Sequence, residues 1–171
     1  MASPFWNFSV AVYGAGAVQD ECLTLQDQFG LDANLVLLCA FAGAVHGVAL
    51  TPDDIASARA LVGPWHKDIV SSLRAVRRRL KTIDTPGADA AKAAADLRTQ
   101  VKAVELESER IEQIMLEQWA SARLEARPRG NPRETVPANL QALLAGYGIS
   151  PERTTVAQAM PHLIAAALVR A

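Results

Sequence analysis

The sequence is poor in the residues that carry most site chemistry. Its 171 residues include two cysteines, Cys22 and Cys39, and three histidines, His46, His66 and His162. Two cysteines are too few for a disulfide framework. The histidines fall on separate segments, and neither Cys-x-x-Cys nor His-x-x-x-His spacing occurs, so no metal-ligand set is expected. There is no Gly-x-Ser-x-Gly, and no histidine is tied by pattern to either cysteine, which leaves no nucleophilic set. Gly14-Ala15-Gly16 precedes a predicted helix but follows no strand, so it is not read as a phosphate loop. No catalytic, cofactor-binding or metal residue is assigned, and the balance leans away from an enzyme.

Other scarcities narrow the partners. Aromatic residues make up 5 % of the chain. None is interleaved with the arginines of residues 74–79, so stacking on nucleic-acid bases is not expected. The formal net charge is −1, which gives no bulk signature of a nucleic-acid or membrane binder. The most apolar run, Leu35–Leu50, is about 16 residues long and contains His46, short of the ~20 that span a bilayer. The start Met1-Ala2-Ser3-Pro4-Phe5-Trp6 lacks the basic and apolar blocks of a secretory leader. A cytoplasmic location without membrane contact is the expectation.

What the sequence does contain is helix. Half of its residues are hydrophobic, mostly Ala, Leu and Val, a balance that favours packed helices over sheets. An all-α bundle of about seven to eight helices is predicted from the periodicity and the cap signals. Ser3-Pro4 starts the first helix, Gly30 ends the second, and Asp32 caps a third that is apolar around most of its circumference. Thr51-Pro52-Asp53-Asp54 opens a short fourth helix ending near Val62-Gly63. Residues 1–126 form the bundle core with a hairpin, 127–136 a linker, and 137–171 short C-terminal helices packed on the same domain.

The most distinctive segment is a long antiparallel helical hairpin over about 64–125. Its fifth helix starts at Pro64 and carries a seam of Trp65, Ile69, Leu73, Val76, Leu80 and Ile83. The turn is Asp84-Thr85-Pro86-Gly87. The sixth helix has a near-heptad seam of Leu97, Val101, Val104, Ser108, Ile111, Met115 and Gln118. Pairing about the turn sets residue i opposite roughly 171 − i, so Arg77 faces the region of Ala94 and Glu105 the region of His66. Arg74, Arg77, Arg78, Arg79 and Lys81, joined by Lys92 and Arg98, then make the turn end basic, while Glu105, Glu107, Glu109, Glu112 and Glu117 lie apart. The hairpin is expected to carry segregated, unpaired charge.

Two further features concern the interior. Cys22 and Cys39 fall opposite one another across the second and third helices, and two buried reduced thiols are expected, since packed axes stand too far apart for a disulfide. Between those helices Asp27, Asp32 and Asn34 concentrate polar groups. With Arg74 they mark either a buried polar network or a ligand pocket.

The string Phe5-Trp6-Asn7-Phe8 with Tyr13, the segment from Cys22 through Asp27 to Gly30, Asp32 and Asn34-Leu35, Trp65 with Leu73-Arg74, Arg77 and Leu80-Lys81, and Glu105 through Arg110 form a combination. Over about Pro4 to Leu116 it resembles the bacterial family known as domain of unknown function 2390. The resemblance implies an all-helical bacterial cytosolic protein and carries no activity, cofactor or catalytic residue. The tail from Arg127 matches the pattern poorly and reads as a lineage-specific addition. Functionally, the chain is expected to be a non-enzymatic interaction or regulatory factor that docks an unidentified protein through the charged hairpin. A small-ligand binder or enzyme with a pocket near Asp27, Asn34 and Arg74 is the alternative. Self-association as a homodimer through the long sixth helix is a third expectation.

Overall fold

Local caps set the helix boundaries in the computed structural model, which describes residues 3–171. Met1 and Ala2, where the leader-free reading starts, lie outside the described residues. Ser3 Oγ accepts the Trp6 N–H at 3.0 Å and Pro4 takes the first helical position of α1 (Pro4–Tyr13). α2 (Val18–Phe29) ends on Gly30, whose φ of 67° is the left-handed conformation that a glycine adopts without steric cost. Asp32 Oδ1 accepts the Asn34 N–H at 2.8 Å and starts α3 (Ala33–Ala44). Thr51 and Asp54 exchange side-chain-to-backbone bonds at 2.8 and 3.1 Å, a capping box opening α4 (Pro52–Trp65).

No helix break follows at Gly63-Pro64. Pro64 lies inside α4, the chain passes through a π-helical turn (His66–Val70), and α5 (Ser71–Thr82) continues from it. The expected restart at Pro64 is thus replaced by a wide turn in which the Ser71 N–H reaches back five residues to the His66 carbonyl. A proline without an N–H and an i→i+5 turn are recognised ways of accommodating a disturbed helix ladder. α6 (Ala88–Leu124) is the longest element; α7 (Pro132–Gly146), the single turn α8 (Val156–Ala159) and α9 (Pro161–Leu168) complete an all-α chain with no strand among the described residues. α7 begins inside the stretch expected to be a linker: Asn131 Oδ1 accepts the Arg133 N–H at 3.0 Å and Pro132 sits at the first helical position. Asn-Pro here is a helix start, not linker punctuation.

The described residues divide into two compact units, Val62–Glu112 and the remainder. In the larger unit α3 is the central helix, with every residue from Asn34 to Ala44 buried. Phe41 of α3 packs against Phe5 and Phe8 of α1 at ring distances of 5.1 and 5.3 Å. Phe5, Phe8, Leu25, Leu37 and Phe41 are buried, whereas Trp6 and Trp65 are half-buried and Ile69 is exposed. α7 crosses α3 at Gly43, where an added Cβ would stand 2.7 Å from the Val136 backbone. That contact requires glycine, because only a bare Cα lets two helix backbones approach so closely. Thr135 Oγ1 donates to the Gly43 carbonyl at 2.9 Å.

Asn139 of α7 is fully buried and ties three chain segments together. Its amide donates to the carbonyls of Val48 at 2.8 Å and Cys39 at 3.2 Å, and its Oδ1 accepts the Leu50 N–H at 2.7 Å. The loop after α3 has no regular ladder, so a side chain does the pairing its backbone needs. Cys22 and Cys39 are free and buried as expected, and burial pushes both thiols up to about 12. Among the described residues no helix is long and apolar enough to cross a membrane.

Candidate functional site

The smaller unit, Val62–Glu112, gathers most of the charge that the sequence singles out. Arg74 Nε donates to Glu105 Oε1 at 3.2 Å, and its terminal NH2 donates to Glu109 Oε1 at 2.7 Å. Arg77 donates to Glu105 through two nitrogens, one at 3.1 Å and the other through Nε. His66 Nδ1 stands 3.2 Å from Glu112 Oε2, and the Trp65 indole donates to the Ser108 carbonyl at 3.0 Å. Residues farther along α5 bond residues earlier along α6, the order that antiparallel neighbours give.

These pairings correct the expected register and the expected charge segregation. Arg77 meets Glu105 and not the region of Ala94. The cause is the lean of helical side chains toward their own N-termini. In an antiparallel pair, α5 side chains lean away from the turn and α6 side chains lean toward it, so both tilts bring earlier α5 positions to later α6 positions. The shift from the region of Ala94 to Glu105 is 11 residues, about three helical turns, and the reach of arginine and glutamate covers part of it. Arg74 and Arg77 are therefore neutralised internally.

The inward faces also differ from the expected seams. On α6, Glu105, Ser108 and Glu112 are buried, while Leu97, Val104 and Ile111 are 38–54 % exposed. On the other helix Val70 is buried and Arg74 and Arg77 are half-buried, while Ile69, Val76 and Ile83 are exposed. The faces that turn inward carry Val70, Arg74 and Arg77, and Glu105, Glu109 and Glu112. Apolar periodicity marks the neighbouring stripe because it counts a buried ion pair as two polar residues. The signal that would have found the pairing is complementary charge: cations at four- and three-residue steps on one helix and glutamates at the same steps on the other.

The two central carboxylates are tuned in opposite directions. Burial pushes Glu105 up, but hydrogen bonds from Arg77 and Arg74 outweigh it and hold the carboxyl below its ordinary value. Glu109 is raised, chiefly by burial, and the neighbouring charges of Glu105 and Glu112 add to that against the pull of Arg74. Arg77 is raised by its bond to Glu105.

The remaining basic candidates are placed differently. Arg78, Arg79, Lys81 and Lys92 are exposed, and Arg98 is half-buried. Of the polar set in the larger unit, Asp32 and Asn34 come together through the α3 cap, and Asn34 Oδ1 accepts from Gln113 Nε2 at 2.8 Å. Asp27 is exposed on α2. Arg59 lies 3.9 Å over the Tyr147 ring, a cation–π contact.

These observations define an all-helical protein with an arginine–glutamate network along a helix pair. The chain belongs to the family described as Protein of unknown function (DUF2390), whose model matches residues 4–116 and so takes in the entire smaller unit. No curated protein and no solved structure matches it.

Proposed function

We propose that the chain is a non-enzymatic interaction factor that docks an acidic protein partner through the turn end of the Val62–Glu112 unit. The observation that carries this reading is the sorting of charge. Glu105, Glu109 and Glu112 turn inward toward Arg74, Arg77 and His66, and so do not offset the cations near the turn. The exposed Arg79, Lys81 and Lys92 then face solvent with Asp84 and Asp89 as the exposed acids nearest in sequence. Such a patch attracts carboxylate-rich surfaces and loses that attraction in salt. Arg74 and Arg77 hold the helices that present the patch, and Arg98 borders it.

The ligand-pocket reading has weaker support. Asp32 is committed to the α3 cap, Asn34 to Gln113, and Arg74 to two glutamates.

The test is zero-length carbodiimide cross-linking in source-cell extract, which joins Lys81 and Lys92 to partner carboxylates. Cross-links to acidic segments of one protein are expected, and their loss in the Arg78→Glu/Arg79→Glu/Lys81→Glu variant with an unchanged circular dichroism spectrum. A variant that captures the same proteins as the wild type would sink the proposal.

A further inference from the structure

The start of α9 takes its cap from a distant helix. Every helix leaves its first N–H groups without intrahelical partners. α8 answers this locally, with a capping box between Thr155 and Gln158. α9 has no such box, because Met160 precedes it and its side chain accepts no bond. Pro161 has no N–H, and the Ile164 N–H reaches the Met160 carbonyl at 3.0 Å. That leaves the N–H groups of His162 and Leu163. Both go to Glu21 of α2, one to each carboxylate oxygen at 2.9 Å. The His162 ring adds a third bond, its Nδ1 donating to Glu21 Oε1 at 2.7 Å. The Glu21 side chain is 10 % exposed, so water competes little for it.

Little else secures this helix. Its eight residues are too few to stay helical when undocked. Of them Leu163 and Ala167 are buried, and alanine brings only a methyl group. α1 and α3, on which α9 also packs, carry no charged side chain that could serve the same turn. Past the helix Val169 is 83 % exposed, and Arg170 reaches the Ala11 carbonyl only at 3.5 Å. Met160 is held more firmly: it is fully buried, and its N–H bonds the Val156 carbonyl at 2.8 Å.

We infer that α9 is a strap latched by Glu21, which opens about Met160 while the rest of the larger unit stays folded. Opening of such a segment is set by the few bonds that hold it and not by global stability. α2 packs on α1, α3 and α9, so opening bares part of its inward face, where Val18, Cys22 and Leu25 are buried. Cys22 adjoins the latch, and the Glu21 charge adds to burial in raising its thiol. Cys39 lies on the central helix α3, its carbonyl held by Asn139 of α7. The two thiols therefore distinguish strap opening from unfolding.

Hydrogen exchange of the native full chain is expected to release the His162 and Leu163 amides well before those of α3. Equal protection of α9 and α3 would overturn the inference. Glu21→Gln keeps the shape but removes the charge and one acceptor oxygen. With an unchanged circular dichroism spectrum, native labelling of Cys22 by a small thiol reagent is expected to quicken on the order of tenfold, the weight of one charge-assisted bond. Cys39 labelling is expected to stay as it was. Equal acceleration of both cysteines, or of neither, would overturn the strap. His162→Ala keeps both backbone donors and loses the ring bond, so a smaller acceleration is expected. One as large as that of Glu21→Gln would overturn the assignment of the latch to the backbone amides.

Discussion

Replacing Glu105 with glutamine tests the central pairing directly. Its carboxylate accepts three bonds, one from Arg74 and two from Arg77. Glutamine keeps the shape and one acceptor oxygen but removes the charge. Charge-assisted bonds contribute about 1.5–3 kcal/mol against about 0.5–1.5 for neutral ones, so the two bonds to the retained oxygen weaken by about 1 kcal/mol each and the Arg77 Nε bond to the other oxygen is lost. Arg74 retains Glu109, and the two arginine side chains are 15 and 23 % exposed, so water recovers part of the loss. A net destabilisation of about 2 kcal/mol follows. The assay is native-state hydrogen exchange of the α5 amides, which reads opening of this unit separately from global unfolding. The pH dependence supplies the sign. Glu105 is depressed on folding, so its contribution is full above the unfolded carboxyl value and is lost as pH falls through the folded one. The gap between wild type and Glu105→Gln should be widest at neutral pH and close in acid. Glu109 is raised, so its contribution is present below the unfolded value and lost as pH rises through the folded one. Glu109→Gln should therefore match or exceed the wild type at neutral pH. A Glu105→Gln loss below about 0.5 kcal/mol, the size of an ordinary surface substitution, would refute the reasoning. So would an equal loss from Glu109→Gln, or a gap that widens in acid.

Two further outcomes concern the larger unit. Asn139→Leu leaves the buried Leu50 N–H and Val48 carbonyl without their side-chain partner; at about 1–3 kcal/mol for each such group, urea unfolding should show a loss of about 3 kcal/mol, and a change within ordinary surface scatter would contradict the assigned role. Cys22 and Cys39, buried and pushed up to about 12, should resist a thiol reagent at mildly alkaline pH in the native chain and react fully once it is unfolded. Rapid native labelling of either would contradict the burial.

Much of the fold is legible locally. Ser3, Gly30, Asp32 and Thr51 signal helix ends through bonds spanning two to six residues, so neighbouring sequence alone carries the information. The all-round apolarity of α3 likewise marks it as a central helix. The face that α5 and α6 turn inward is not legible this way. Hydrophobic periodicity selects the stripe through Ile69, Val76 and Ile83, yet the inward stripe holds Arg74 and Arg77, because Glu105 and Glu109 offset their desolvation from 28 to 35 residues away.

The sequence by itself determined where the helices lie, that the cysteines are buried thiols, and the family to which the chain belongs. Each of these rests on short-range backbone bonding, composition or a contiguous pattern. Only the tertiary structure decided that the glutamates pair with the arginines, that Gly43 admits α7, and that Asn139 closes the loop after α3. Those depend on side chains brought together across long stretches of chain, with a lean and register that helical spacing alone does not specify. The apolar seams were visible in the sequence throughout; that Ile69, Val76 and Ile83, and Leu97, Val104 and Ile111, face solvent was not.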